Sequence, residues 1–220
     1  IDMFILAMEG AQAHKEQPQN DIVIVLLTGT VEDEPLTEVE FWNFFLMLMV
    51  AGNETTRTVI SHGMRLIIVN TDQYQALVDD PGKIDVAIEE FLRYNPAVIA
   101  FRRTAMEDIE LFGKKIKKGD KIQMYYGAAS ADEANFADPD VFDITRNTRE
   151  DVHNKHRAFG IGQHFCLGSH LARLELKVIF EEIVKHIRNP RFDGEINWLR
   201  SNFINGIKVM PIAFDVAEAG

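Results

Sequence analysis

FGIGQHFCLG, Phe159 to Gly168, carries the single cysteine of a 220-residue chain, with glycines at 160, 162 and 168 and His164 two residues away. The stretch runs into a segment in which Leu167, Leu171, Leu174 and Val178, then Ile183 and Ile187, keep helical spacing. Three roles fit a thiol placed there: a metal thiolate, a catalytic nucleophile, or a small buried hydrophobe. A thiolate needs positive potential, and backbone N–H groups of a Gly-rich loop in front of a helix N-terminus supply it. Glycines also let a flat ligand approach the backbone. The cysteine alone equally supports an inert, buried side chain.

Upstream of the loop the character changes twice. From about Asp132 to Arg157 the chain is rich in Asp, Asn, Arg and Pro, a long connection of the kind that usually serves function. Before it, from Ala97 to Tyr126, β-branched alternation with FGKK and KKGD turns predicts short hairpins. Helices are predicted at about Asp72–Asp79, ending at DDPG, and at about Lys83–Tyr94, stopping before Pro96. The sequence from Thr37 to about Asn70 opens on a Thr37/Glu40 capping box and meets no proline, which predicts one long helix, apolar nearly all round in its first half. An amphipathic opening segment and the polar linker HKEQPQND precede it, and the tail from Arg191 reads as short strands. The expected fold class is mainly α, with small β-sheets.

Composition narrows the class further. With 46% hydrophobic and 26% charged residues the chain can bury a core, and a formal charge of -11 argues against nucleic acid, which needs a concentrated basic face. One cysteine makes no internal disulfide and no cysteine cluster, so a reducing compartment, the cytoplasm, is expected. The apolar run FWNFFLMLMVA falls short of a bilayer-spanning helix, so no membrane anchor is expected. The chain begins at Ile1, as a chain starting within a longer protein would.

Two more stretches could carry chemistry. In AGNETT, Ala51 to Thr56, the Thr55 hydroxyl can take the Ala51 carbonyl and widen the helix, Gly52 opens a groove, and Glu54 adds a titratable group. The pairing suggests proton delivery; a helix signal or a solvated polar patch reads as well. In EEFLRYNP, Glu90 and Arg93 share a helix face and can pair, as many surface pairs do. His153, His156, His164 and His170 surround Cys166 in sequence, but their spacing does not match a familiar zinc set.

Together these stretches resemble the cytochrome P450 family, the haem-thiolate monooxygenases. Phe159, Gly162, His164, Cys166 and Gly168 fill the fixed places of the family's Phe-x-x-Gly-x-His-x-Cys-x-Gly signature, AGNETT is similar to its oxygen-activation motif, and Glu90 with Arg93 matches its Glu-x-x-Arg motif. The resemblance covers nearly all 220 residues and corresponds to the C-terminal portion of a single P450 domain, with the N-terminal portion absent.

The resemblance implies haem b, with Cys166 as the iron ligand, Phe159 packing near it, and Gly160, Gly168, Ala51 and Gly52 beside the cofactor. It implies that His164 and Arg103, with Arg102 as rival, meet the haem carboxylates, and that Glu54 and Thr55 form the acid-alcohol pair. Arg146 would complete a structural triad with Glu90 and Arg93. Met47, Val50, Val98, Ile99, Ala100, Phe203 and Ile204 would face a hydrophobic substrate, such as a sterol, terpenoid or fatty-acid-like molecule. The implied reaction inserts one atom of molecular oxygen into a C–H bond. Electrons from NAD(P)H would arrive through ferredoxin reductase and ferredoxin, because the chain has neither a GxGxxG fingerprint nor cluster cysteines. Arg157, Arg173 and Lys177 are expected to form the basic docking face for that partner. The chain departs from the family at Ser130, Ala131 and Asp132, where members often carry Asn-Arg-Asp. Rival readings are a non-catalytic haem-binding fragment, a peroxide-driven haem-thiolate enzyme, and a cysteine hydrolase using Cys166 with His164.

Overall fold

Asp21 shows how one polar side chain organises the start of the chain. Its carboxylate accepts the backbone N–H groups of Val23 and Ile24 at 3.0 and 3.2 Å and lies 2.6 Å from His14 Nε2, capping one helix and tying it to the one before. In the computed structural model, which describes residues 2–217, these helices are α1 (Asp2–Glu16) and α2 (Ile22–Thr28). A hairpin of β1 (Thr30–Val31) and β2 (Glu34–Pro35) follows. It turns on Glu32 and Asp33, both at positive φ, as a two-residue hairpin turn requires.

The capping box forms as expected. Thr37 N donates to Glu40 Oε2 at 2.8 Å and Glu40 N donates to Thr37 Oγ1 at 3.3 Å, and α3 runs from Glu38 to Val69. It stays helical through Ala51–Thr56, so the expected widening does not interrupt it. A Thr side chain bonded one turn back bends a helix without breaking it. The chain divides into two compact units, residues 1–54 and 55–220. Ala7, Ala11, Leu26 and Phe41 are the buried core of the first.

The second unit contains α4 (Thr71–Asp79) and α5 (Ile84–Tyr94), then β3 (Ala100–Thr104), β4 (Ile109–Leu111), β5 (Lys114–Ile116) and β6 (Lys121–Tyr125). β3 pairs antiparallel with β6, and β4 with β5 between them. A short helix α6 (Tyr126–Ser130) follows β6, and α7 (Asn147–Glu150) and α8 (Val152–Lys155) punctuate the segment from about Asp132 to Arg157 expected to be a loop. Then come α9 (Ser169–His186), β7 (Ile187–Phe192), β8 (Asn197–Trp198), β9 (Ile207–Val209) and β10 (Ile212–Val216), with β7 paired to β10 and β8 to β9.

The core of this unit packs Ile84, Ala87, Ile88 and Phe91 of α5 against Leu66 and Ile67 of α3, Leu77 of α4, and Leu176, Phe180 and Val184 of α9. Phe91 and Phe180 meet at 4.6 Å between ring centroids. Gly63 lets α3 approach this cluster, since a Cβ there would stand 2.5 Å from Phe180 Cζ. The helical spacing of Leu171, Leu174, Val178 and Ile183 falls within α9, which buries Leu176, Phe180 and Val184 and leaves Leu171, Leu174 and Val178 half or more exposed. The helix is apolar on two sides, and spacing alone does not choose between them. Ile187, expected to continue the helix, begins β7.

Candidate active site

Cys166 sits at the end of a loop closed by its own backbone: Cys166 N donates to Phe159 O at 2.9 Å. Between them the chain makes a 3-10 turn at Gly162–His164, and Phe165 N donates to Gly162 O at 3.0 Å. Gly160 and Gly162 take φ of 76 and 75°, where an L side chain would be strained. A Cβ on Gly160 would also lie 3.1 Å from the Tyr126 hydroxyl. The thiol of Cys166 is exposed, just ahead of the first turn of α9.

Beside the loop lies a cavity of about 520 Å³ lined by Arg103, Tyr126, Arg157, Gly160 and His164, among others. Arg103 of β3 thus shares one concavity with Arg157 and His164, which lie about fifty to sixty residues further on. β3 alternates its faces, so Arg103 lines the cavity and its neighbour Arg102 does not. Tyr126, which the sequence did not single out, has its phenol pushed up by burial; Arg103 opposes that shift and the charge of Cys166 adds to it.

Two ion networks on α5 stand behind the loop. Glu90, fully buried, takes a bidentate pair from Arg93 at 2.7 and 2.8 Å and a third bond from Arg146 Nε at 3.2 Å. Arg93 also donates to Ser130 O and Pro139 O at 3.0 and 2.9 Å, and Arg146 to Asp138 O and Val141 O at 3.0 and 2.7 Å. Every side of these charges is therefore partnered, as burial demands. Ser130, where the chain departs from the family pattern, is buried and also accepts Arg157 N on its hydroxyl at 3.1 Å.

The second network centres on Glu89. Its carboxylate takes Arg173 Nε and Nη2 at 2.7 and 3.1 Å and His156 Nε2 at 3.0 Å, with His153 Nδ1 at 3.2 Å. Burial disfavours the charge, yet the hydrogen bonds from His156 and Arg173, with the Arg173 charge, bring the carboxyl down to about 2. Lys177 is paired too, to Asp85 at 2.7 Å. Of the residues expected to form a basic docking face, Arg173 and Lys177 are thus paired with Glu89 and Asp85, and Arg157 donates to the carbonyls of Asn154 and His156. Arginine spacing in sequence shows charge but not which carboxylate already holds it.

Five of the candidate substrate residues come together. Val98 bridges to Ile204, Ile99 N donates to Phe203 O at 2.8 Å, and Ala100 heads β3 beside them. His62 fastens this tip to α3: its Nε2 lies 2.6 Å from Asn205 O, and burial pushes the imidazole below its ordinary value. Since a carbonyl only accepts, Nε2 carries the proton. Met47, Val50, Ala51, Gly52 and Glu54 belong to the first unit, with Met47 and Val50 exposed, whereas Thr55 opens the second.

The residues of the loop fit a haem. Among the described residues no group of three or more His, Cys, Asp and Glu is arranged to hold a metal ion. The exposed thiol of Cys166 offers one ligand, which suits a metal already held by a macrocycle. Gly162 and Gly168 have nothing within 4 Å of an added Cβ, which leaves room for a ring, and Arg103 and His164 on one cavity suit its carboxylates.

Comparison with known proteins gives the same answer. The sequence profile described as cytochrome P450 matches residues 84–190. A steroid C26-monooxygenase of Rhodococcus jostii is 40% identical over 215 residues, covering 97% of this chain and 44% of that protein. A methyl-branched lipid omega-hydroxylase of Mycobacterium tuberculosis is 38% identical, covering 93% and 47%. The chain thus spans about half the length of the curated relatives it matches. Among solved structures, substrate-free CYP109E1 from Bacillus megaterium superposes with a TM-score of 0.90 at 33% identity, covering 98% of this chain and 55% of that one. Its closed cysteine loop, its buried Glu90–Arg93–Arg146 network and its likeness in sequence and fold make this chain a member of the cytochrome P450 family.

Proposed function

We propose that the protein is a haem-thiolate monooxygenase that hydroxylates a steroid or methyl-branched lipid. The reading is carried by one observation: an exposed Cys166, on a loop opened by glycines at positive φ, stands beside a cavity shared by Arg103 and His164. Bound haem supplies reductive activation of dioxygen and transfer of one oxygen atom to a C–H bond, and a thiolate ligand favours O–O cleavage.

The chain's own residues do the rest. Cys166 donates negative charge to the metal, and the Phe159 carbonyl fixes its amide. Arg103 and His164 hold the ring carboxylates, with Tyr126 and Arg157 on the same cavity. Thr55 Oγ1 and the Glu54 carboxylate hold and pass protons. Val98, Ile99, Ala100, Phe203 and Ile204 offer an apolar wall to the substrate. The substrate class follows from the names of the steroid and branched-lipid relatives. Electrons come from NAD(P)H through ferredoxin reductase and a ferredoxin, since this chain has no nicotinamide or cluster motif of its own.

The test supplies the haem-loaded protein with a surrogate reductase and ferredoxin, labelled dioxygen, and a panel of steroids and branched lipids. One labelled oxygen atom should appear in a hydroxylated product, and Thr55→Ala should lower product formed per electron consumed by about tenfold or more. No labelled product from any member of the panel would contradict the reading.

A further inference from the structure

Glu89 belongs to none of the three motifs, yet it is buried and holds the base of the cysteine loop. Arg173, on α9 just after the loop, is gripped by both Glu89 oxygens and lays its guanidinium 4.7 Å from the centroid of the Phe159 ring. Phe159 in turn presents its carbonyl to Cys166 N at 2.9 Å. His156 adds a second route to the same point. It meets Glu89 Oε2 through Nε2 at 3.0 Å and accepts Ala158 N on Nδ1 at 3.2 Å, one residue before Phe159. The residue that opens the loop is therefore held from its ring and from its preceding amide, and both holds end on one carboxylate.

We propose that Glu89 and Arg173 are positioning residues for Cys166, acting through Phe159. The inference rests on reading Cys166 as the haem ligand. Arg173 does two things at once, pairing bidentately with Glu89 and lying over the Phe159 ring, and a lysine lacks the planar fork that joins the two. Loss of the clamp frees Phe159, loosens the bond from Cys166 N to its carbonyl, and lets the sulfur leave its place.

The experiment compares wild type, Arg173→Lys, Glu89→Gln and Lys177→Met as haem-loaded proteins. Lys177 lies one turn beyond Arg173 and joins the same two helices through Asp85, without touching the loop. Lys177→Met thus reports what weaker helix docking alone does. Hydrogen exchange at the Cys166 amide should speed up by about tenfold or more in Arg173→Lys and Glu89→Gln, and not in Lys177→Met. The reduced, carbon monoxide-treated Arg173→Lys protein should also lose its thiolate-type Soret band faster than wild type. Equal exchange and equal band loss in all four proteins overturn the clamp. Exchange that rises equally in Lys177→Met overturns it as well, because docking would then be the whole effect. A wild type without a thiolate band would instead overturn the reading of Cys166, and the exchange comparison would still decide whether the clamp holds the loop.

Discussion

At the scale of single residues, neighbours with the same chemistry have opposite fates. Glu89 and Glu90 are adjacent carboxylates on α5, and helical geometry sends them to separate ion networks, one toward His156 and Arg173 and the other toward Arg93 and Arg146. Arg102 and Arg103 differ likewise, because strand alternation gives only one of them to the cavity. The low carboxyl of Glu89 has a consequence in acid. Its ordinary value is 4.5 and the folded value about 2, so its contribution is complete above the ordinary value and disappears as pH falls through the folded one. Over that window the contribution amounts to about 3 kcal/mol. Urea unfolding of wild type and Glu89→Gln should therefore converge as pH falls from 4.5 toward 2. A stability difference that stays constant across the window would contradict the assignment.

At the scale of elements, punctuation was legible and packing was not. The Thr37/Glu40 box, the proline after α5 and the turn residues of the hairpins mark boundaries through local chemistry, and α3, α4, α5 and the paired strands follow them. The three motif stretches were legible for the same reason, since each is a short pattern of fixed residue types. What depends on another element was hidden: the buried face of α9, the partners of Arg173 and Lys177, and the place of Tyr126 against Gly160. Gly63 is such a case. A methyl there meets the ring of Phe180, which is fully buried and has no room to move. Gly63→Ala should destabilise the second unit by about 1–3 kcal/mol, overpacking outweighing the helix propensity gained. Gly10→Ala in α1, with nothing within 4 Å of the added methyl, should instead stabilise by roughly 0.5–1 kcal/mol. Denaturant midpoints of the two variants that move together would contradict this account of the core.

At the scale of the whole molecule, several cations of this acidic chain act as internal fasteners. Arg93, Arg146, Arg173 and Lys177 are all held by carboxylates of the same chain, and Arg103, Arg157 and His164 gather on one cavity. That leaves positive charge where an anionic cofactor would be received. Among the described residues no helix is long and apolar enough to cross a membrane. The Glu89 network reaches the loop that ends at Cys166 through Arg173 and His156. The most direct measurement is the absorption spectrum of the reduced, carbon monoxide-treated protein beside that of Cys166→Ser. Sulfur ligation predicts a thiolate-type Soret band in the wild type and its loss in the variant. A band that survives the substitution, or a wild type whose iron is bound only through nitrogen, would contradict the central claim.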